Sequence, residues 1–189
     1  MGKPQFMRVL TEVCESDRML TRHAAVRIPG RIGKALTAVE SAAQKTKLWC
    51  AAAGTMAMFG GRRGRLAAVS GLSAVVVAQV ICSGLCKQLT DRPRPPEEWF
   101  PHDEVEDRPD SSSFPSGHTA AAAAFAAAVV PAWPPAGTLC AVPAAMVAVE
   151  RVWSGAHYPT DVVAGAAIGL ASAGLVRYAP RLVRRSLIG

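Results

Sequence analysis

Three short stretches of this 189-residue chain hold residue types that can bind an anion and move protons. Lys87 and Arg94, with Arg92 between them, lie in "KQLTDRPRP"; Ser116, Gly117 and His118 lie in "FPSGH"; Arg151, His157 and Asp161 lie in "ERVWSGAHYPTD". Lysine and arginine hold phosphoryl oxygens through charge-assisted hydrogen bonds. A Pro followed by Ser and Gly predicts a helix opened by Pro115, whose free N–H groups face an anion. Two histidines can converge with these cations on one pocket. Pro159 predicts a second helix start, with Asp161 in its first turn and His157 just outside, within reach of that carboxylate. Taken singly, the first stretch reads as a headgroup anchor and the second as a helix cap.

The elements that must position these groups are apolar helices. Half of the residues are hydrophobic and the mean hydropathy is +0.20. The 21 residues between Arg65 and Lys87 carry no charge, about what a ~30 Å hydrocarbon core requires. Thr119 to Val149 is also uncharged, but "PAWPPAG" divides it into a helical hairpin. Leu48–Gly61 and Val162–Val176 are shorter uncharged segments, so the pattern predicts an all-α, integral-membrane bundle of about five transmembrane helices. Their many Gly, Ala and Ser residues suit close packing in lipid.

Residues 1–47 differ. Phe6, Val9, Leu10 and Val13, then Ile28, Ile32, Leu36 and Val39, recur at helical spacing among nine Lys or Arg, which predicts a basic amphipathic N-terminal region. No uncharged run follows the first basic residues, which argues against a cleaved signal peptide, and Phe6 replaces the Ser or Thr of a myristoylation signal. The domain reading is therefore 1–47 amphipathic region, 48–176 membrane-embedded catalytic domain and 177–189 basic tail. A formal charge of +7 raises nucleic acid, but the cations flank apolar spans as headgroup contacts do, and no nucleic-acid partner is expected. The five cysteines have no metal-ligand company; Cys82 and Cys86 pack a helix, and His23 and His102 read as bystanders.

Five crossings bring all three stretches to one membrane face, where a phosphate would engage all of them. Lys87, six residues, then Arg94-Pro95; Pro115 to His118; and Arg151, five residues, His157, three residues, Asp161 resemble the three-part signature of the type 2 phosphatidic acid phosphatase family, over roughly Leu48 to Val176. That family also contains soluble vanadium-dependent haloperoxidases. The resemblance implies that His157 is the nucleophile, forming a phosphohistidine, with Asp161 fixing its tautomer. His118 would protonate the leaving oxygen and then activate water. Lys87, Arg94, Arg151, the Ser116 hydroxyl and the Gly117 N–H would hold the phosphoryl oxygens, with no metal and no cofactor.

Glu150 stands where the family commonly has Ser, and an N-terminal arm stands in the place of an extra first span. Glu150 can pair with a neighbouring cation or weaken phosphate binding. The acidic 97–110 loop, with seven acids in fourteen residues, reads as solvated. The implied function is a lipid phosphate phosphatase acting on a lipid or polyprenyl phosphomonoester, for instance decaprenyl-phosphoryl-phosphoribose or a phospholipid phosphate. Alternatives are a polyprenyl pyrophosphate diphosphatase, a haloperoxidase and a non-enzymatic phospholipid-binding protein. The expected location is a bacterial plasma membrane. Cations near the "GRRGR" turn and the tail favour an extracytoplasmic site, and the sequence is silent on oligomeric state.

Overall fold

The computed structural model describes residues 3–101 and 111–188. The 102–110 part of the acidic loop, with His102, and the side chains of Phe6, Val9 and Leu10 lie outside what it describes. Among the described residues seven long helices follow one another, with short 3₁₀ turns at Gln44–Thr46 and Glu97–Trp99: α1 (Lys3–Arg27), α2 (Gly30–Ala43), α3 (Lys47–Phe59), α4 (Gly61–Leu89), α5 (Gly117–Val129), α6 (Pro134–Trp153) and α7 (Pro159–Ile188). No strand occurs among the described residues. The protein is an all-helical, integral-membrane bundle.

Helices α4, α6 and the Pro159–Ala179 part of α7 are each long and apolar enough to cross a membrane. Their outward faces stay apolar: Val69, Val76, Val80, Leu139, Val142, Val163 and Leu170 are all exposed, an arrangement that costs nothing against lipid tails. The 13-residue α5 is shorter than a ~30 Å core needs, and it survives because it is enclosed, with Ala120–Ala122, Ala124–Ala126, Ala128 and Val129 buried among its neighbours. Close approach makes this possible. Gly165 and Gly169 of α7 lie so near the carbonyls of Ser116 and Ala120 that a Cβ at either position would collide with α5 backbone. The prolines act as expected: α5 ends at Val129 and α6 begins at Pro134, with Trp133 turned onto Gly60 and Gly64 of the α3–α4 turn. Those two turns therefore share the end of the bundle away from the three motif stretches. The segment expected as a tail from 177 continues α7 as helix through Ile188.

The N-terminal region docks on the other end. In α2 the buried positions are Gly33, Leu36, Glu40 and Ala43, while Ile32 is exposed, so the face differs from the expected Ile28–Ile32–Leu36–Val39 stripe. Gly33 takes the ring of Trp153, at the end of α6, against its bare Cα. Among the described residues of α1 those buried are Asp17, Thr21 and Ala25, one helical turn apart, and Val13 is exposed. Polar groups in these faces are explained by what they meet.

Candidate active site

α4 does not end as a regular helix. Val80–Cys86 is π-helical, and the last turn, Lys87–Leu89, carries Lys87 to the rim of the bundle. Thr90 to Arg94 then runs beside Ser111 to Phe114: Ser113 N–H donates to the Arg92 carbonyl at 2.9 Å, Thr90 Oγ1 donates to the Phe114 carbonyl at 2.9 Å, and Ser113 Oγ donates to the Pro93 carbonyl at 3.2 Å. This lacing brings the first two motifs together. Lys87 Nζ reaches Ser111 Oγ at 3.3 Å and Arg94 donates to the carbonyls of Ala156 at 2.6 Å and Ser111 at 3.1 Å.

Ser116 is the N-cap of α5, and the helix opens at Gly117, one residue past the cap, so Pro115 precedes the helix that it was expected to start. The Ser116 hydroxyl is buried against Thr119, sharing a hydrogen bond with Thr119 Oγ1 at 2.9 Å, and its N–H donates to the Asp161 carbonyl at 3.0 Å. That last bond joins the start of α5 to the start of α7. His118 follows in the first turn of α5, half-buried.

Gly155, in a left-handed conformation, lets the chain turn sharply between α6 and α7, so His157 and Asp161 face back toward α5. The His157 ring is buried, and its Nδ1 lies 2.6 Å from the Ser113 carbonyl. A carbonyl only accepts, so Nδ1 carries the proton and Nε2 keeps its lone pair. Burial, reinforced by Arg94 and Arg151, holds the ring well below the ordinary imidazole value and so keeps it neutral.

Asp161 stands next to His157, within the reach expected from the sequence, but its Oδ2 is 3.9 Å from Nδ1, and the Nδ1–H donates to the Ser113 carbonyl rather than to this carboxylate. The Asp161 carboxylate is held by Arg92 at 2.5 Å and by the Tyr158 N–H at 2.8 Å, the latter the acid half of a capping box for α7. Arg92 reaches on to Asp17 of α1 at 2.6 Å, and Asp17 also accepts from the Thr160 N–H at 3.0 Å and from Thr160 Oγ1 at 2.5 Å. Arg92 stacks over the Tyr158 ring with its Cζ 4.4 Å from the centroid.

Arg151 is bracketed by two buried acids: its Nε donates to Glu150 at 2.6 Å and its Nη2 lies 3.2 Å from Glu40 Oε1. Glu150 thus pairs with a neighbouring cation, the first of its two expected fates. Burial, with Glu150 adding to it and Arg151 opposing, pushes the Glu40 carboxyl up. The same Glu40 oxygen is 3.7 Å from His118 Nε2. The structure therefore collects Lys87, Arg94, Ser116, Gly117, His118, Arg151, His157 and Asp161 at one end of the bundle, and adds Asp17, Glu40, Arg92 and Ser113. Asp17 and Glu40 sit in helices whose apolar residues drew the sequence reading, and an acid in an amphipathic face counts as solvent side until its partners are seen. Arg92 offered a signal, as a third cation beside Lys87 and Arg94. Among the described residues, no three His, Cys, Asp or Glu group as an ion site would require.

From Thr119 at this end toward Val130 and Gly137 at the other, between α5, α6 and α7, runs an apolar groove of about 450 Å³ also lined by Ala141, Ala148 and Leu170.

The family model described as the PAP2 superfamily matches residues 67–185. Over 72 residues the chain is 42% identical to the bacitracin transport permease protein BcrC of Bacillus licheniformis, which is 38% of this chain and 36% of that one. Over 112 residues it is 35% identical to the lipid A 1-phosphatase of Rhizobium etli, which is 53% of this chain and 47% of the relative. The match thus spans less than half the length of each of these curated relatives. Among solved structures, the PAP2-type phosphatidylglycerolphosphate phosphatase from Bacillus subtilis superposes with a TM-score of 0.70 at 22% identity, covering 91% of this chain and 88% of that one. LpxE of Aquifex aeolicus gives 0.67 at 21% identity, covering 84% and 92%. At these identities the two structures establish a shared fold.

Proposed function

This chain belongs to the PAP2 superfamily, and from that premise we propose that it is a membrane-embedded phosphatase that hydrolyses a lipid or polyprenyl phosphomonoester through a phosphohistidine at His157, without a metal. The observation that carries this reading is the His157 ring: buried, with Nδ1 committed to the Ser113 carbonyl, it keeps an unprotonated Nε2 and lies within the electrostatic reach of Arg94, Arg151 and Lys87. A neutral imidazole of fixed tautomer is a nucleophile, and three cations are what a phosphoryl group with developing charge requires.

The roles follow from these positions. Lys87, Arg94 and Arg151 bind the phosphoryl oxygens, with the Gly117 N–H at the positive end of α5. The Ser116 hydroxyl adds to them once Thr119 shares it. His157 Nε2 attacks phosphorus, and Asp161, 3.9 Å away, supports the charge that forms on the ring. His118 protonates the leaving oxygen and later takes a proton from the water that releases phosphate. The groove that begins at Thr119 suits the hydrocarbon tail, because Thr119 is hydrogen-bonded to Ser116 at the site and the groove walls are almost wholly apolar. The 35% identity to a relative named for a lipid phosphate supports a monoester substrate. The diphosphatase reading uses the same residues and differs in its leaving group. We place the protein in a bacterial plasma membrane with the site outside the cytoplasm, by the cations near the turn opposite the site. Labelling of a cysteine introduced at Glu98 by an impermeant thiol reagent in intact cells tests that side, and protection overturns it.

The test of the chemistry is phosphate release from lipid phosphates in detergent. Activity is expected to persist in excess EDTA, to be inhibited by vanadate, which mimics five-coordinate phosphorus, and to yield an acid-labile phosphoenzyme that His157→Ala cannot form. Loss of activity on chelation, or a phosphoenzyme in His157→Ala, overturns it.

A further inference from the structure

Glu40 is a residue that a membrane-end scaffold has no reason to bury. It comes from α2, outside the three motif stretches, and it is 3% exposed. Its Oε2 is met by Gln44 at 3.4 Å, yet its Oε1 has no hydrogen-bond partner and points between Arg151 Nη2 at 3.2 Å and His118 Nε2 at 3.7 Å. One turn earlier on the same face, Thr37 Oγ1 is also buried without a partner. The Oε1 oxygen is thus compensated by the Arg151 charge but committed to no hydrogen bond, which leaves it able to exchange a proton with the histidine beside it.

We propose that Glu40 is a positioning residue for proton transfer: its carboxyl and the His118 imidazole together hold the transferable proton that His118 gives to the departing ester oxygen. This rests on the phosphatase reading above. Nε2 faces Glu40, which leaves Nδ1 for the substrate. When the phosphorus–oxygen bond breaks, its electron pair stays on the ester oxygen, Nδ1 gives that oxygen a proton, and Glu40 restores a proton at Nε2. Attack of water on the phosphohistidine returns a proton through His118 to Glu40, so the pair ends the cycle as it began. The groups facing His118 make the partner necessary. Arg151 on α6, Lys87 on α4 and Arg94 on the following loop all oppose a charged ring, and Glu40 on α2 is the acid set against them. Around Glu40 itself stand Arg151 and Glu150 from α6 and Gln44 from its own segment. Burial also keeps its carboxyl above the ordinary range, as a proton store requires. The substrate class follows: an ester of a poorly leaving alcohol needs this pair, and a good leaving group does not.

The experiment compares kcat/KM, which reports steps through leaving-group departure, for a long-chain alkyl phosphate and for a nitrophenyl phosphate bearing the same alkyl tail. Glu40→Gln is expected to lower the alkyl value about 10²-fold and the nitrophenyl value far less. In a His118→Ala background, Glu40→Gln is expected to add no further loss on the alkyl ester, because the two residues act as one unit. Glu40→Asp keeps a carboxyl and is expected to recover part of the alkyl rate; recovery there keeps the test decisive where Gln disturbs folding. Equal losses on both esters, additive losses with His118→Ala, or no recovery in a folded Glu40→Asp overturns the proposal. A gain in activity on removing the acid also overturns it, making Glu40 a competitor of phosphate for Arg151. A wild-type protein that cleaves neither ester refutes the phosphatase reading instead.

Discussion

Arg92 Nη1 donates to Asp161 Oδ1 at 2.5 Å, and the other end of the same guanidinium holds Asp17. The acid beside His157 is thereby oriented by a residue that lies between Lys87 and Arg94 in sequence, and that residue is anchored in turn by the first helix. Asp161 and Asp17 are both fully enclosed, while Arg92 keeps about a quarter of its side chain exposed.

Removing the anchor is expected to be felt twice. Asp17→Ala takes away the acceptor of three hydrogen bonds and leaves Arg92 partly uncompensated, a change of the kind that costs about 3 kcal/mol when a buried pair is broken. A lowered melting temperature together with lowered turnover is the expected result. Asp17→Asn, which can still accept from Thr160, should fall between it and wild type. An unchanged melting temperature in Asp17→Ala would detach α1 from the site.

Asp161→Asn separates capping from charge. The amide oxygen can still accept from the Tyr158 N–H, so α7 keeps its cap, but the charge facing Arg92 and the imidazolium is gone. Turnover is expected to fall by about 10²-fold or more, with a moderate loss of stability from the broken ion pair. Wild-type turnover at a reduced melting temperature would leave Asp161 a structural residue.

The His157 ring sets a pH window. Its folded-state value lies well below the ordinary 6.5, through burial first and then Arg94 and Arg151. The neutral form is the nucleophile, so the acid limb of kcat/KM is expected below the usual imidazole range. For stability the sign is fixed by the same direction: the unfolded chain takes up this proton more readily, so the ring's contribution is complete above pH 6.5 and is lost as the pH falls through the folded value. Melting temperatures of wild type and His157→Gln should therefore converge or cross as the pH drops from 7. A parallel offset would show that the ring is not buried neutral.

Gly33 is the hinge of the α2 contact. The Trp153 ring, itself buried, occupies the space of any Cβ there. Gly33→Leu must push α2 off α6, at a cost of about 1–3 kcal/mol for overpacking, and should withdraw Glu40 from Arg151 and His118. Loss of alkyl phosphate hydrolysis with the nitrophenyl ester less affected is the expected signature. Intact hydrolysis of both would show that Glu40 does not depend on this packing.

What the sequence determined by itself are features set by near neighbours. Pro134 and Pro159 open helices because a proline at a first turn sacrifices an N–H that has no partner there, and the apolar length between Arg65 and Lys87 fixes a span whatever surrounds it. The spacing of His157 and Asp161 across a helix start places the two groups side by side without reference to any other part of the chain. Only the tertiary structure decided their partners. The Ser113 carbonyl accepts from His157 Nδ1–H, Arg92 holds the Asp161 carboxylate, and Glu40 and Asp17 arrive from helices that read as a separate amphipathic arm. These are contacts between segments distant in sequence. A buried acid in such a helix is indistinguishable from a solvated one until the cation that compensates its desolvation is brought against it.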